Sequence, residues 1–357
     1  MLASDPVHDP EGAVQRPRAA DPDAIRAHLD ALTKPPGSLG RLEELALRLA
    51  LVYGDPPPPL RRRSVLVLAG DHGVARRGVS AYPPEVTAQM CRNLASGGAA
   101  ACVLARAVDA DLLVADLGVD ADLEDVPGLA HRKVGRGTRD LASGPAMTPG
   151  ECDAAITAGR GLAMERLGSG AEVLALGDMG IGNTTSASAL TAAILGLQGD
   201  RLIGPGTGAT GVRLRAKRTA VERGLERVAG VTDPLRLLQE LGGFEIAGMV
   251  GAILAAARAG RVVVIDGFVV TAASLVATRL SPAVVHYLVA AHRSAEPGHT
   301  IQLEALGLVP LLDLNLRLGE GTGALLALPL LTAAAGLLRD MATFESAGIA
   351  GPAAAPS

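Results

Sequence analysis

The side chains of this sequence that could do chemistry lie beside glycine. Glu320 stands between Gly319 and Gly321 in "NLRLGEGTGALLALPLL", where backbone can approach a ligand closely. Burial there would raise its pKa and suit it to be a general base. The simpler reading is an acid at a helix start that complements the helix dipole. "AGDHGV" brings Asp71 and His72 together, for metal or acid–base chemistry or, more simply, for hydrogen bonds to loop backbone. "AAHRSAEPGH" holds His292, Glu296 and His299, which on one helix would share a metal-binding face. Pro297 and Gly298 break such a helix before His299 is reached, so no metal is assigned. Ser294, in the same stretch, is instead a candidate phosphate hydroxyl.

Residues 177–190, "GDMGIGNTTSASAL", carry P-loop spacing at Gly177, Gly182 and Thr184, with Asn183 where lysine would stand. Gly180, Gly182 and Asn183 admit positive φ, so successive N–H groups can turn inward as a nest. Thr184 and Thr185 then face an anion from the start of a helix. Without the lysine that reaches β- and γ-phosphates, the spacing suits one monophosphate; an ordinary tight turn capped by Thr is the alternative. A second loop, "GPGTGATG", contains Gly206, Thr207, Gly208 and Gly211. Its G-x-G-x-x-G does not announce a dinucleotide fold, because Pro205 and the short "RLIG" leave little room for a buried strand before it. Of the basic residues that follow, Lys217 is the candidate to reach a phosphate, and Arg213, Arg215 and Arg218 form a solvated face.

These residues need elements to position them. "SVLVLAGDHG", "ADLLVADLGV", "AEVLALGDMG" and "RVVVIDGFVV" are short apolar runs ending in Gly and Asp, the texture of strands buried on both faces. Helical segments such as "PEVTAQMCRNLASGG", "GECDAAITAGRGLAMERLG" and "DPLRLLQELGGFEIAGMVGAILAAARAG" lie between them. The alternation predicts an α/β fold, a mainly parallel, Rossmann-like sheet flanked by helices. Ligands bind beyond the carboxyl ends of such strands, and all four Gly/Asp pairs fall there. Residues 1–22 read as a disordered tail and 23–350 as one domain.

Composition narrows the partners. Of 357 residues, 48% are hydrophobic but only 2% aromatic, so the core must be built from Ala, Val, Leu and Gly. A net charge of −4 argues against a nucleic-acid surface, which needs a concentrated basic face. Cys91, Cys102 and Cys152 show no metal spacing and read as reduced thiols of a cytoplasmic protein. "MLASDPVHDPEG" lacks the apolar core of a signal peptide. "GMVGAILAAA" and "ALLALPLLTAAAGLL", the latter interrupted by Pro329, fall short of the roughly 20 apolar residues of a membrane span and read as buried helices, with no membrane partner.

Taken in order, "KPPGSLGRLEELA", "AGDHGV", "GVSAYPPEVTAQM", "GDMGIGNTTSASAL", "GPGTG", "GGFEIAGMVGAILAAA", "VVVIDGFVVTAA", "HRSAEPGH" and "LDLNLRLGEGTGALLALPLL" resemble the nicotinate-nucleotide:dimethylbenzimidazole phosphoribosyltransferase family over about residues 24–345. The resemblance implies transfer of ribosyl phosphate from nicotinate mononucleotide to 5,6-dimethylbenzimidazole, giving α-ribazole 5′-phosphate and nicotinate for the lower ligand of cobalamin. It implies a homodimer, a smaller helical lobe from the N- and C-terminal segments, and no cofactor. A single 5′-phosphate suits a loop without the lysine. A nicotinate leaving group, unlike pyrophosphate, needs no metal to neutralise it. The resemblance makes Glu320 the catalytic base and places Ser80, Tyr82 and Gln89 around the benzimidazole. Where the family usually reads Gly-Glu-Met-Gly, this chain has Asp178, a candidate second acid with one methylene less reach.

Three other readings stay open on sequence. A nucleotide-dependent kinase or ATPase would use residues 177–185, against which Asn183 speaks. A non-catalytic nucleotide-binding module would leave Glu320 unexplained. A transferase of the same family could accept other bases.

Overall fold

Six strands, β1 (Arg63–Gly70), β2 (Asp111–Gly118), β3 (Leu129–His131), β4 (Val173–Met179), β5 (Val263–Ile265) and β6 (Leu288–Ala290), form one sheet in the computed structural model, which describes residues 13–206 and 208–351. Every neighbouring pair is parallel, in the order β3-β2-β1-β4-β5-β6. The expected α/β fold is therefore present, and its sheet is wholly parallel. Four strands coincide with the apolar runs. β3 and β6 have three residues each, too few to show a pattern. The run "RVVVIDGFVV" yields only Val263–Ile265 as strand, because Phe268 already opens a helix.

The helices follow in chain order. α1 (Pro22–Ala31) and α2 (Arg41–Tyr53) precede β1. α3 (Val86–Ala95) and α4 (Ala100–Ala107) fill the crossover to β2, and α5 (Pro149–Gly168) leads into β4. α6 (Asn183–Leu195), α7 (Gly211–Arg227), α8 (Pro234–Leu241) and α9 (Phe244–Arg258) separate β4 from β5. α10 (Phe268–Leu280) links β5 to β6, and α11 (Pro297–Leu306), α12 (Thr322–Asp340) and α13 (Phe344–Ala347) complete the chain. The stretch expected as one helix over 233–260 is two, α8 and α9, parted at Gly242 and Gly243. A Cβ on Gly243 would overlap the His72 ring, so the break lets the chain pass the end of β1.

Strand order reverses between β1 and β4, the switch point at which crevices form in such sheets. Leu68 is in register with Asp178 and Ala69 with Met179. The continuations of both strands thus emerge side by side on one edge.

The expected tail needs correction from residue 13 onward. Val14 is buried, and its N–H donates to Ser281 Oγ at 3.0 Å. The Ala19 N–H donates to Leu51 O at 3.1 Å. Residues 1–12 lie outside those described. At the other end, α12 packs on α2, α4 and β4, and Thr33 N–H donates to Ala342 O at 3.0 Å, joining the N- and C-terminal segments. Among the described residues α12 is long and apolar enough to cross a membrane, but over half of that length is buried in the protein, as befits a core helix.

Candidate active site

Gly177, the first glycine of the P-loop spacing, lies inside β4 rather than in a loop. A Cβ there would overlap the backbone of Glu320 and Gly321, so this glycine admits the Glu320 loop against the strand. Gly180 is required by the close approach of Gly70 O and does not take positive φ; Gly182, at φ 96°, does, and Asn183 begins α6. Some of the N–H groups expected to form the nest are paired within the protein. Ile181 N–H donates to Thr87 Oγ1, Asn183 N–H to Gly180 O and Thr185 N–H to Gly182 O. These bonds occupy the N–H groups of residues 181, 183 and 185 and leave those of Gly180, Gly182 and Thr184 without a partner among the described residues, so side chains join backbone donors in facing an anion.

Those side chains line a pocket beyond β4, β5 and β6, bounded by Asp178, Asn183, Thr184, Gly206, Asp266, His292, Ser294, Glu296 and Arg317. Lys217 lies behind this lining, on α7, and meets it at Thr184. It is 1% exposed, and Nζ donates to Thr184 Oγ1 at 2.9 Å and to Gly204 O at 3.1 Å. Burial pulls its pKa down to about 8, against the opposing charge of Glu296. Arg213, Arg215 and Arg218 are exposed, as expected. Glu296 accepts from Gly206 N–H at 2.8 Å, and Arg317 donates to Gly206 O at 3.1 Å, which fixes the second glycine loop. Gly208 follows at φ 107°, and Thr207 lies outside the described residues. No strand precedes this loop, only a short 3-10 turn, Gly199–Leu202.

Pro297 does not break a helix; it opens α11, and residues 293–296 are loop. His299 accepts from Ser294 N–H at 2.8 Å through Nδ1 and pairs with Thr271 Oγ1 at 3.0 Å through Nε2. Burial pulls its pKa down to about 3, so it is neutral and structural. Ser294 lines the pocket, and its hydroxyl accepts from Glu296 N–H at 3.3 Å.

A group of carboxylates gathers at the strand ends. Asp178 accepts from Asn183 Nδ2 at 2.8 Å. Burial, then the charges of Asp266, Glu245 and Glu320, push its pKa up to about 8 against that hydrogen bond. Asp266 follows β5 and accepts from Ala324 N–H in the first turn of α12 at 2.9 Å. His292, 3.5 Å from Asp266 Oδ1, has a raised pKa: burial opposes its charge, but the hydrogen bond and charge of Asp266 outweigh burial.

Glu320 takes φ 60° between two glycines that are also left-handed, a conformation that costs a non-glycine residue of order 1 kcal/mol or more and is typical of functional sites. It is 4% exposed, and Oε2 accepts from Ala101 N–H at the start of α4 at 3.4 Å. Its pKa is raised by burial and by the charge of Asp266, with the Ala101 hydrogen bond opposing. The carboxylate thus sits at a helix N-terminus, but that of α4 rather than of the helix that follows it in the chain. Its carboxylate faces α4, while Gly319 lines the pocket.

Ser80 and Tyr82 line a second, open cleft of about 710 Å³ with Pro83, Pro84, Ala88 and Arg213. Tyr82 is 54% exposed, and its N–H donates to Ser80 Oγ at 3.1 Å. Gln89 is on exposed α3 surface and outside that lining. Thr87, on the same helix, accepts from the N–H of Ile181, which lines the first pocket, while Ala88 lines the second, so α3 touches both. Asp71 follows the simple reading, accepting from Asp120 N–H at 2.9 Å. His72 does not: its Nε2 pairs with buried Glu245 Oε1 at 2.6 Å. Asp266, Arg317 and Glu245 escaped the sequence reading. For Asp266 the Asp-Gly ending "RVVVIDG" was a usable signal, whereas Arg317 is one arginine among many.

A family profile described as a phosphoribosyltransferase matches residues 14–349. A Thermus thermophilus protein named nicotinate-nucleotide--dimethylbenzimidazole phosphoribosyltransferase is 53% identical over 332 residues, covering 92% of this chain and 99% of that one. A Deinococcus radiodurans protein of the same name is 50% identical over 95% of each chain. A crystal structure of CobT from Thermus thermophilus superposes with a TM-score of 0.90 at 52% identity, covering 92% of this chain and 98% of that one.

Proposed function

The chain belongs to the phosphoribosyltransferase family, and we infer from that membership and from its paired cavities that it transfers the 5-phosphoribosyl group of nicotinate mononucleotide to 5,6-dimethylbenzimidazole. The products are α-ribazole 5′-phosphate and nicotinate, and the reaction serves assembly of the cobalamin lower ligand. The bond from the anomeric carbon to the pyridinium nitrogen breaks, and its electron pair leaves with nicotinate. A benzimidazole nitrogen attacks the opposite face, so a β-linkage becomes α. The proton of the other ring nitrogen goes to Glu320.

The observation that carries the residue assignments is the seating of the Glu320 loop on β4, with Glu320 N–H on Asp178 O at 3.1 Å. It fixes a buried carboxyl of raised pKa beside the carboxyl end of β4, next to the pocket that Gly319 lines. Lys217, Thr184, Ser294 and Arg317 would take the 5′-phosphate at one end, and Tyr82 and Ser80 the base at the other. Asp178, held protonated near neutrality, would donate a hydrogen bond to the donor nucleotide rather than share the base's work. We further infer a cytoplasmic location, in keeping with three buried free cysteines, and, from the family resemblance, a homodimer. Incubation with nicotinate mononucleotide and a panel of bases, with product masses read directly, tests the reaction; absence of nicotinate release with every base would sink it. The breadth of the open cleft, about 710 Å³, favours acceptance of more than one base in that panel.

A further inference from the structure

Asp266 is 1% exposed and lines the nucleotide pocket, yet only one of its two oxygens is used. Oδ1 accepts from Ala324 N–H at 2.9 Å and faces His292 Nε2 at 3.5 Å. Oδ2 is buried with no partner. A buried carboxylate oxygen without a donor is costly, and in a residue that lines a pocket a donor from the ligand can relieve that cost. The surroundings preserve its placement. A Cβ on Gly323 would overlap the His292 ring, so the first turn of α12 closes directly on the Asp266–His292 pair. The charged and titratable groups facing it are Asp178 from β4, Glu320 from the loop before α12, and His292 after β6.

We propose that Asp266 is a further catalytic residue: its free Oδ2 accepts a hydrogen bond from the ribosyl hydroxyl next to the reacting carbon, and its negative charge stabilises the positive charge that develops on the ribosyl ring. The proposal rests on the transferase reading above. When the carbon–nitrogen bond to nicotinate breaks and the bond to the benzimidazole is only partly formed, the sugar carries cationic character. A fixed anion in a buried site opposes that charge more strongly in the transition state than in the ground state. Asp266 keeps no proton from the reaction, which leaves on Glu320.

Asp266→Asn retains an acceptor for Ala324 N–H and removes the charge. Loss of one preorganised electrostatic group lowers kcat by about 10²–10³-fold, while calorimetric affinity for dimethylbenzimidazole should stay unchanged. The acid limb of the kcat/KM profile should also move to lower pH, because Asp266 no longer raises the Glu320 pKa; a merely structural residue would leave that limb in place. The variant should discriminate less than the unmodified protein between nicotinate mononucleotide and its 2′-deoxy analogue. Turnover within threefold of the unmodified protein, or an unmoved acid limb, overturns the proposal. If the variant does not fold, binding of the 2′-deoxy analogue to the unmodified protein decides: about tenfold or more weaker than the parent nucleotide supports it, and equal affinity overturns it. An unmodified protein that forms no ribosylated base would instead overturn the assigned reaction.

Discussion

The backbone N–H of Glu320 donates to the carbonyl oxygen of Asp178 at 3.1 Å, which ties the loop before α12 to the end of β4. The contact exists because residue 177, one step back in the strand, has no side chain. Gly177→Ala would drive a Cβ into the backbone of Glu320 and Gly321, and backbone cannot swing aside as a side chain can. Overpacking of this kind costs about 1–3 kcal/mol, and displacement of a catalytic group by about 1 Å can cost 10²-fold in rate. The variant should therefore melt lower and lose most turnover while still binding dimethylbenzimidazole. A full-rate Gly177→Ala would show that Glu320 does not depend on this seat.

Glu320→Gln keeps the shape and removes the proton acceptor. General-base catalysis contributes about 10²–10⁴-fold, so kcat should fall by that order with both substrates still bound. The rate of the unmodified protein should rise with pH through the Glu320 pKa, which burial and Asp266 hold above the ordinary carboxyl value; the variant should lack that limb. More than half of the unmodified rate in Glu320→Gln would remove the residue from the mechanism.

The sheet and its edge were legible in the sequence because parallel strands buried on both faces must be apolar throughout. Glu320 was legible because glycines on both sides of an acid are rare without a reason, and the reason is three consecutive left-handed residues. The loop after β4 was legible as a glycine-rich turn, but the reason for two of its glycines was not. Its glycines serve close packing against Gly70 and the Glu320 loop, a tertiary cause that spacing does not reveal. The packing of residues 13–21 was also hidden, since Val14 is held by Ser281, 267 residues away. His72 looked like a loop residue because its partner, Glu245, comes from a distant helix.

Lys217 predicts a pH dependence. Burial lowers its pKa to about 8 from 10.5, so the ammonium is lost as pH rises through about 8. Phosphate monoesters reach their dianionic form above about pH 6. Affinity for nicotinate mononucleotide should therefore be highest between these values and fall above pH 8. Lys217→Met should bind that nucleotide more weakly by about 1.5–3 kcal/mol, roughly 10- to 150-fold, and lose the alkaline decline. The depressed pKa also opposes folding: the penalty is fully present below about 8 and disappears as pH rises toward 10.5. Any gain in stability of Lys217→Met should shrink over that same range. Calorimetry across pH checks the binding; an unchanged alkaline decline in the variant would assign it to another group.

Tyr82 separates the two ends of the site. The residue is 54% exposed and lines the open cleft with Ser80, Pro83 and Pro84, in a chain with only three tyrosines and three phenylalanines. A flat apolar face left open in an otherwise aromatic-poor protein suits a planar base, and stacking adds about 0.5–1.5 kcal/mol beyond the area buried. Tyr82→Ala should raise the KM for dimethylbenzimidazole several-fold or more and leave that for nicotinate mononucleotide alone, since the cleft that Tyr82 lines shares no residue with the pocket proposed for the nucleotide. Tyr82→Phe keeps the face and removes only the hydroxyl, so it should be milder. Equal damage from the two variants would make the hydroxyl the recognising group. No change in base affinity from either would place the base elsewhere in the cleft, away from Ser80 and Tyr82.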